Sequence, residues 1–510
     1  MRRALIALVA VLPIVAAPAA AATPSPGAPG LGDRLYPLLG NGGYDTLHYD
    51  LDLRYEIGDT PAAQTVDGTV TIFARATQSL SRFNLDFAGE SVGSVSVNGR
   101  TASWTRDDGE LVITPKRPLA KGRPFAVKVS HFVAVPTAPG DDPTSTALFT
   151  TPDGTATAAQ PDLAHYVYPS NDHPSDKASY TYRFDVPSDV VAVANGVPTG
   201  RREHGGRTTW SYLQRQPMAT ELVQLAVGRY HLLWAGRHRG VPIRNVIAPS
   251  LRTVGDPAVA LTPHHLDWMT ERAGRYPFDI YGSLIVDAEL GFALETQTIS
   301  LYDKIWFTEY GQGTWDPTMV HELAHEWYGN SVSPQEWSDL WLNEGHASWY
   351  EFVYAEEKGF LAEDTTGYPD DTGYATLEEL MKAVYAHGDQ WRADDGPVAR
   401  PSSPDSLFAF QRYHGGALVL YALREKIGTR AFDKLEREWV RRYRDESVGT
   451  DDFIALASKV ARRDLRGFLR DWLYGTTTPP MPNHPDWTVD PVEPAAQAAR
   501  LAPAARRPIP

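Results

Sequence analysis

Five residues in the middle of this chain, His321-Glu322-Leu323-Ala324-His325, restrict its fold more than any other feature. Residues four apart on a helix lie on one face, about one turn from each other. Both imidazoles can therefore reach a single point, with Glu322 projecting beside it. That is the mechanical content of the H-E-x-x-H motif: two imidazole ligands for one zinc ion, and a carboxylate placed to work on the ion's water. Glu344, in Trp341-Leu342-Asn343-Glu344-Gly345, reads as the third ligand. Structural zinc normally saturates four protein ligands, yet this chain of 510 residues has no Cys. Two His, one Glu and an open position form the catalytic arrangement, with one Zn²⁺ per chain.

Asp316-Pro317 reads as an N-cap followed by Pro at the first helical position. Met319, Val320, Leu323, Ala324 and Trp327 then wrap most of the helix, which is expected to be buried. A helix can carry two exposed His without a role. Buried imidazoles and carboxylates need partners, because unpaired polar groups in a core are costly, and a metal supplies them. Ser333-Pro334-Gln335-Glu336 reads as a capping box ahead of the helix bearing Glu344, which is expected to end at Lys358-Gly359.

The run His321-Glu-Leu-Ala-His-Glu-Trp-Tyr-Gly-Asn330, with eighteen residues between His325 and Glu344, resembles the aminopeptidase N family of gluzincins, peptidase family M1. The resemblance implies that His321, His325 and Glu344 bind zinc and that Glu322 is the general base. Glu326 stands where the family more often has an uncharged residue, and it is expected to face solvent. Gly291-Phe-Ala-Leu-Glu-Thr-Gln-Thr298 resembles the family's Gly-Ala-Met-Glu-Asn edge strand. On that alignment Ala293 and Glu295 touch substrate, and Glu295 binds its free α-ammonium. The alternative is an exposed strand carboxylate. Phe292 replaces a Gly and Thr296 an Asn, and the Phe is expected to narrow the first-residue pocket. Tyr413, in Arg412-Tyr413-His414-Gly415-Gly416-Ala417, falls at the family's catalytic tyrosine, the alternative being a core tyrosine. Tyr168 to Lys177 resembles a Pro-rich family signature. Gln160 falls where the family has a Glu or Gln near the substrate's amino group, with an ordinary loop residue as the other reading.

The rest of the chain frames these residues. Residues 1–22 have a basic start (Arg2, Arg3), an apolar run and Ala20-Ala21-Ala22, the pattern of a signal peptide cleaved near Ala22. The run is too short to span a bilayer, and no Cys follows for a lipid anchor. Losing Arg2 and Arg3 takes the basic count from 48 to 46 against 63 acids, a net charge near −17. An acidic, Cys-free chain argues against nucleic acid or an anionic membrane as partner. A Pro/Gly-rich linker is expected over 23–42. Alternating runs such as His48–Tyr55, Val66–Phe73, Phe83–Phe87 and Ser179–Val186, divided by turns at Asn98-Gly99 and Asp108-Gly109, read as an antiparallel sheet domain over 43–250.

Helical periodicity begins near Ala258 and runs to about Arg272. Residues 360–405 read as a solvated loop region with a short helix near Leu377–Tyr385. Amphipathic helices are expected at about 416–427, 430–443, 451–462 and 465–474, and a Pro/Ala-rich tail over 476–510. The resemblance, over 43–475, implies a saddle-like antiparallel β domain followed by a thermolysin-like, mostly helical catalytic domain over 251–475. It looks like a compact version without the large helical C-terminal domain of many relatives. The expected function is a secreted zinc aminopeptidase acting on peptides with a free N-terminus. A zinc endopeptidase without the ammonium clamp, or a silent secreted binding protein of the same fold, are the other readings.

Overall fold

The computed structural model describes residues 23–56, 64–140, 143–362 and 373–490. The leader expected over 1–22 and the end of the expected tail, 491–510, lie outside the described residues. The alternation of strand 44–56 is the seed of the first half: Tyr49, Leu51, Leu53 and Tyr55 turn inward while Asp52 and Arg54 face out. Two-residue periodicity buries one face of a sheet and wets the other. An eight-stranded sheet results, in the order 197–204, 207–218, 178–187, 44–56, 65–76, 124–134, 94–97, 100–101. Tyr49, Tyr180 and Tyr182 stack across it, at 4.8 and 5.7 Å between ring centroids. The sheet is not wholly antiparallel: strands 44–56 and 178–187 run parallel, with Tyr180 opposite Tyr49. A second, four-stranded sheet (25–26, 80–86, 110–114, 103–107) closes the same core. Asn98-Gly99 and Asp108-Gly109 all have positive φ, as tight hairpin turns require.

The expected boundary near 250 does not match the strand pairing. Strands 231–238 and 241–247 join 283–286, 300–303 and 293–294 in a five-stranded sheet that belongs with the helical half. Nothing in the composition breaks between residues 218 and 231, so pairing alone sets this division. A small sheet (149–151, 154–156, 225–228, 191–194) packs with it, and Phe149, Val193 and Ala226 share one core with Val246, Leu284 and Leu301. The β half and the catalytic half are therefore fused through a common apolar layer.

The segment expected as a linker is a strap. Asp33 is buried and accepts the backbone N–H of Trp337 at 2.7 Å, Arg34 donates to Ser338 Oγ at 3.1 Å, and Leu35 and Leu39 pack with Trp337 and Leu407. Expected residues 258–272 form two helices, Arg252–Val259 and Thr262–Ala273. Gly388–Asp395 is a further helix in what reads as loop, and Leu380, Met381, Val398 and Ala399 bury that region in the core. The first part of the expected tail also packs: Trp487 stacks on Tyr421 at 5.9 Å and meets Tyr385 edge-on at 5.7 Å.

Candidate active site

The two central helices differ from expectation at their starts. The first spans Gln312–His325, so Asp316 and Pro317 lie inside it rather than at its cap. Asp316 is used across the interior, bonding His265 at 2.7 Å and accepting from Tyr354 Oη at 3.2 Å. The second spans Trp341–Lys358 and ends on Gly359 in the left-handed region (φ 78°). Ser333-Pro334 does not cap it. That pair bridges to Ser447-Val448 as a short parallel strand, and Trp337–Asp339 forms a separate 3₁₀ turn. Helix Phe410–Ile427 lies against the second one where two glycines meet. A Cβ on Gly416 would stand 2.7 Å from Gly345 Cα, so these backbones approach as only Gly permits. Gly345 follows Glu344 and Gly416 lies three residues after Tyr413, so the crossing sets these two side chains toward one space.

There the imidazoles converge. Nε2 of His321 and Nε2 of His325 each lie 3.3 Å from Glu344 Oε2. Neighbouring ligands of a tetrahedral ion at about 2.0–2.2 Å stand about 3.3–3.6 Å apart, so the spacing suits zinc. Both rings turn their other nitrogen outward: His321 Nδ1 bonds Glu351 Oε2 at 2.8 Å, and His325 Nδ1 bonds the Tyr328 carbonyl at 3.2 Å. Outward bonds of this kind fix the tautomer that offers Nε2 to a metal. Glu322 is buried with its Oε2 lacking any hydrogen-bond partner, a costly state that a neighbouring cation relieves. Donor set, spacing and orphaned carboxylate all fit zinc.

Glu295 completes a second group, with ligand atoms of Glu295, Glu322 and His325 within 4.8 Å of one another. It is buried, not an exposed strand carboxylate, and Gln160 Nε2 donates to its Oε1 at 2.8 Å. Asn330 Nδ2 holds the Glu295 carbonyl at 2.7 Å. Ala293 and Leu294 form an edge strand paired on one side with Leu301 and Tyr302. The ring of Tyr413 lies nearly parallel to that of His321, 6.1 Å away. All eight candidate residues border one cavity of about 310 Å³.

Residues 275–472 match the profile of the peptidase family M1 domain, and residues 45–222 that of the peptidase M1 N-terminal domain. The chain belongs to peptidase family M1. Among solved M1 structures, the zinc metallopeptidase of Deinococcus radiodurans superposes with a TM-score of 0.75 at 28% identity, covering 89% of this chain and 99% of that one. A mutant of that enzyme bound to a Tyr-Ser-Ala substrate gives 0.73 at 28%, covering 91% and 100%. Aminopeptidase M1-B of Oryza sativa subsp. japonica is 25% identical over 317 residues, 61% of this chain and 35% of that protein. Human glutamyl aminopeptidase is 25% identical over 338 residues, 62% and 33%. The chain thus spans about a third of the length of these curated relatives.

Within the M1 framework the cavity's carboxylates are driven apart. Burial pushes the Glu322 carboxyl up to about 8, the charges of Glu295 and Glu344 adding to the rise while His321 and His325 oppose it. Burial would raise Glu344 too, but His325 and His321 bring it down to about 2. One carboxylate is therefore a standing anion and the other can carry a proton, a division typical of acid–base sites. Burial, then the charges of Glu344, Glu295 and Glu322, hold the Tyr413 hydroxyl well above its ordinary range, so it is a donor.

Two parts of the site are not evident from the motifs. Glu351 is seven residues after Glu344, two turns along the same face, and that interval is the signal that could have found it. Glu326, expected to face solvent, is buried: its Oε1 accepts the Thr298 N–H at 2.8 Å and its Oε2 accepts from Tyr276 Oη at 3.0 Å. It ties the His325 end of the helix to the segment after Glu295.

Proposed function

We propose that this M1 chain is a secreted zinc aminopeptidase that hydrolyses the first peptide bond of peptides with a free N-terminus. The observation that carries the reading is the crowding of Glu295, Glu322 and Glu344 around one buried cavity. Buried anions need compensation, and a dication plus a substrate ammonium supply three charges for three carboxylates. When bound, zinc supplies Lewis acidity to a carbonyl oxygen and lowers the pKa of a water toward ~7.

The chain's own residues do the rest. Glu295 receives the α-ammonium, and Gln160, whose amide N–H is spent on Glu295, has its amide oxygen left for the same cation. The unpaired edge of Ala293-Leu294 is suited to an extended peptide. Glu322 takes a proton from the attacking water and hands it to the leaving amine, so each turnover returns it to its starting state. The Tyr413 hydroxyl donates to the carbonyl oxygen as negative charge develops there. With the ammonium held by Glu295, the first peptide bond rather than an internal one falls to Glu322 in this reading; the short reach between Glu295 and Glu322 supports it.

Residues 1–22 direct export in this reading, and the mature chain begins near Ala22. No helix among the described residues is long and apolar enough to cross a membrane. Matched peptides with free and acetylated N-termini test the activity. Cleavage only of free peptides, one residue at a time, is expected. Equal cleavage of both kinds gives the site to an endopeptidase, and no cleavage of either gives the fold to a binding role.

A further inference from the structure

We infer that the cavity takes peptides whose first residue is large and apolar, aliphatic or aromatic, and turns away those that begin with Asp or Glu. The inference rests on the aminopeptidase reading and narrows its substrate class. Charge is the first support. Glu295, Glu322, Glu344 and Glu351 line the cavity, and among the described residues no Lys or Arg does. Zinc and one ammonium bring three positive charges to those four carboxylates, and His321 Nδ1 already bonds the fourth. An acidic first side chain would add a negative charge beside Glu295 with no cation to receive it, and an unpaired buried charge is strongly disfavoured. The similarity to glutamyl aminopeptidase carries no acidic preference into this cavity.

The rings are the second support. Phe292, Trp306, Phe408 and Phe410 line the same space. The first side chain of a peptide starts one atom from its ammonium, so it begins close to Glu295 and the strand that leads into it. Phe292 lies three residues before Glu295 and forms one core cluster with Leu294 and Phe307. Packed interiors keep their side chains in place, so this ring is a fixed wall and not a gate. An apolar wall rewards a side chain that it removes from water and gives nothing to glycine.

The test uses the zinc-loaded full chain and tripeptides X-Ala-Ala with X as Leu, Phe, Gly, Glu or Asp. Burial of a large apolar side chain corresponds to a factor of about 10–150, so kcat/KM for Leu and Phe should exceed that for Gly by that range. Glu and Asp should fall at or below Gly. An acidic peptide within threefold of Leu, or Gly equal to Phe, overturns the inference. Failure of the underlying reading looks different: acetylated peptides would be cleaved as fast as free ones, whatever X is. Phe292→Ala should lower the Phe-to-Gly ratio at least fivefold. Both rates falling with the ratio unchanged would make the ring structural only and remove Phe292 from the argument. If that variant does not fold, Phe292→Leu carries the same comparison with most of the core volume kept.

Discussion

The three metal-binding candidates at one end of the cavity come from two helices and lie at most 23 positions apart in the chain. The other end joins Glu295 to Gln160 across 135 positions, from the catalytic sheet to the β half. The first end is held from behind by Glu351 and the Tyr328 carbonyl, the second by Asn330. Asn330 in turn offers its carbonyl to Lys177 of the β half, at 2.8 Å. A local end makes the site a hydrolase. In the proposed function the long-range end decides which bond is cut, and it draws one residue from each half of the chain. The two ends should therefore fail differently when broken.

The largest effect is expected at the local end. His321→Ala/His325→Ala should reduce zinc from one per chain to none and leave no measurable turnover on any substrate, free or blocked. Metal analysis after gel filtration checks it, and stoichiometric zinc in the double variant would refute the ligand assignment. Glu322→Gln comes next. It removes the proton acceptor while leaving the imidazoles alone, so zinc content should hold while kcat falls by ~10²–10⁴. A near-normal kcat would move the base elsewhere.

Breaking the long-range end should cost less and be selective. Removing one partner of a buried ionic contact costs ~3–5 kcal/mol, or about two to three and a half decades. Glu295→Ala should lose that much kcat/KM on peptides with a free N-terminus. Acetylated peptides, poor substrates throughout, should change little, so the ratio between the two kinds should shrink. A uniform loss on both would mean that Glu295 supports the zinc end rather than the ammonium.

The same contrast explains what was legible in the sequence. His321, Glu322, His325 and Glu344 could be read because a helix turns spacing into geometry, and the strands 44–56, 65–76 and 178–187 because alternation does the same. Positions set by tertiary partners could not. Asp316-Pro317 has the chemistry of a cap, but His265 and Tyr354 hold Asp316 inside the helix. Ser333-Pro334-Gln335-Glu336 has the letters of a capping box, but the bridge to Ser447-Val448 claims its start. Glu326 has the polarity of a surface residue, and Tyr276 and the Thr298 N–H, both distant in sequence, join the nearby Asn330 amide in satisfying its buried carboxylate. Residues 23–42 have a linker's composition, yet Asp33 and Arg34 find partners some 304 positions away.

The smallest effect tests the glycine crossing that brings Tyr413 beside the zinc end. In an open helix Gly→Ala is stabilising by roughly 0.8–1 kcal/mol. Gly467 offers that case, with nothing within 4 Å of an added Cβ, and Gly467→Ala should raise Tm slightly with kcat unchanged. Gly416→Ala meets the backbone of Gly345, which no rotamer change can move aside. Overpacking of this kind costs ~1–3 kcal/mol, which offsets the helix gain and leaves the variant neutral to about 2 kcal/mol less stable. The helices must separate by part of an ångström, and Tyr413 moves with one of them while Glu344 stays with the other. A 1 Å displacement near reacting groups can cost ~10², so a smaller shift should lower kcat by about tenfold with zinc retained. The loss should fall equally on every free peptide, since the ammonium end is untouched. Gly416→Ala behaving like Gly467→Ala, more stable and fully active, would show that the crossing does not position Tyr413.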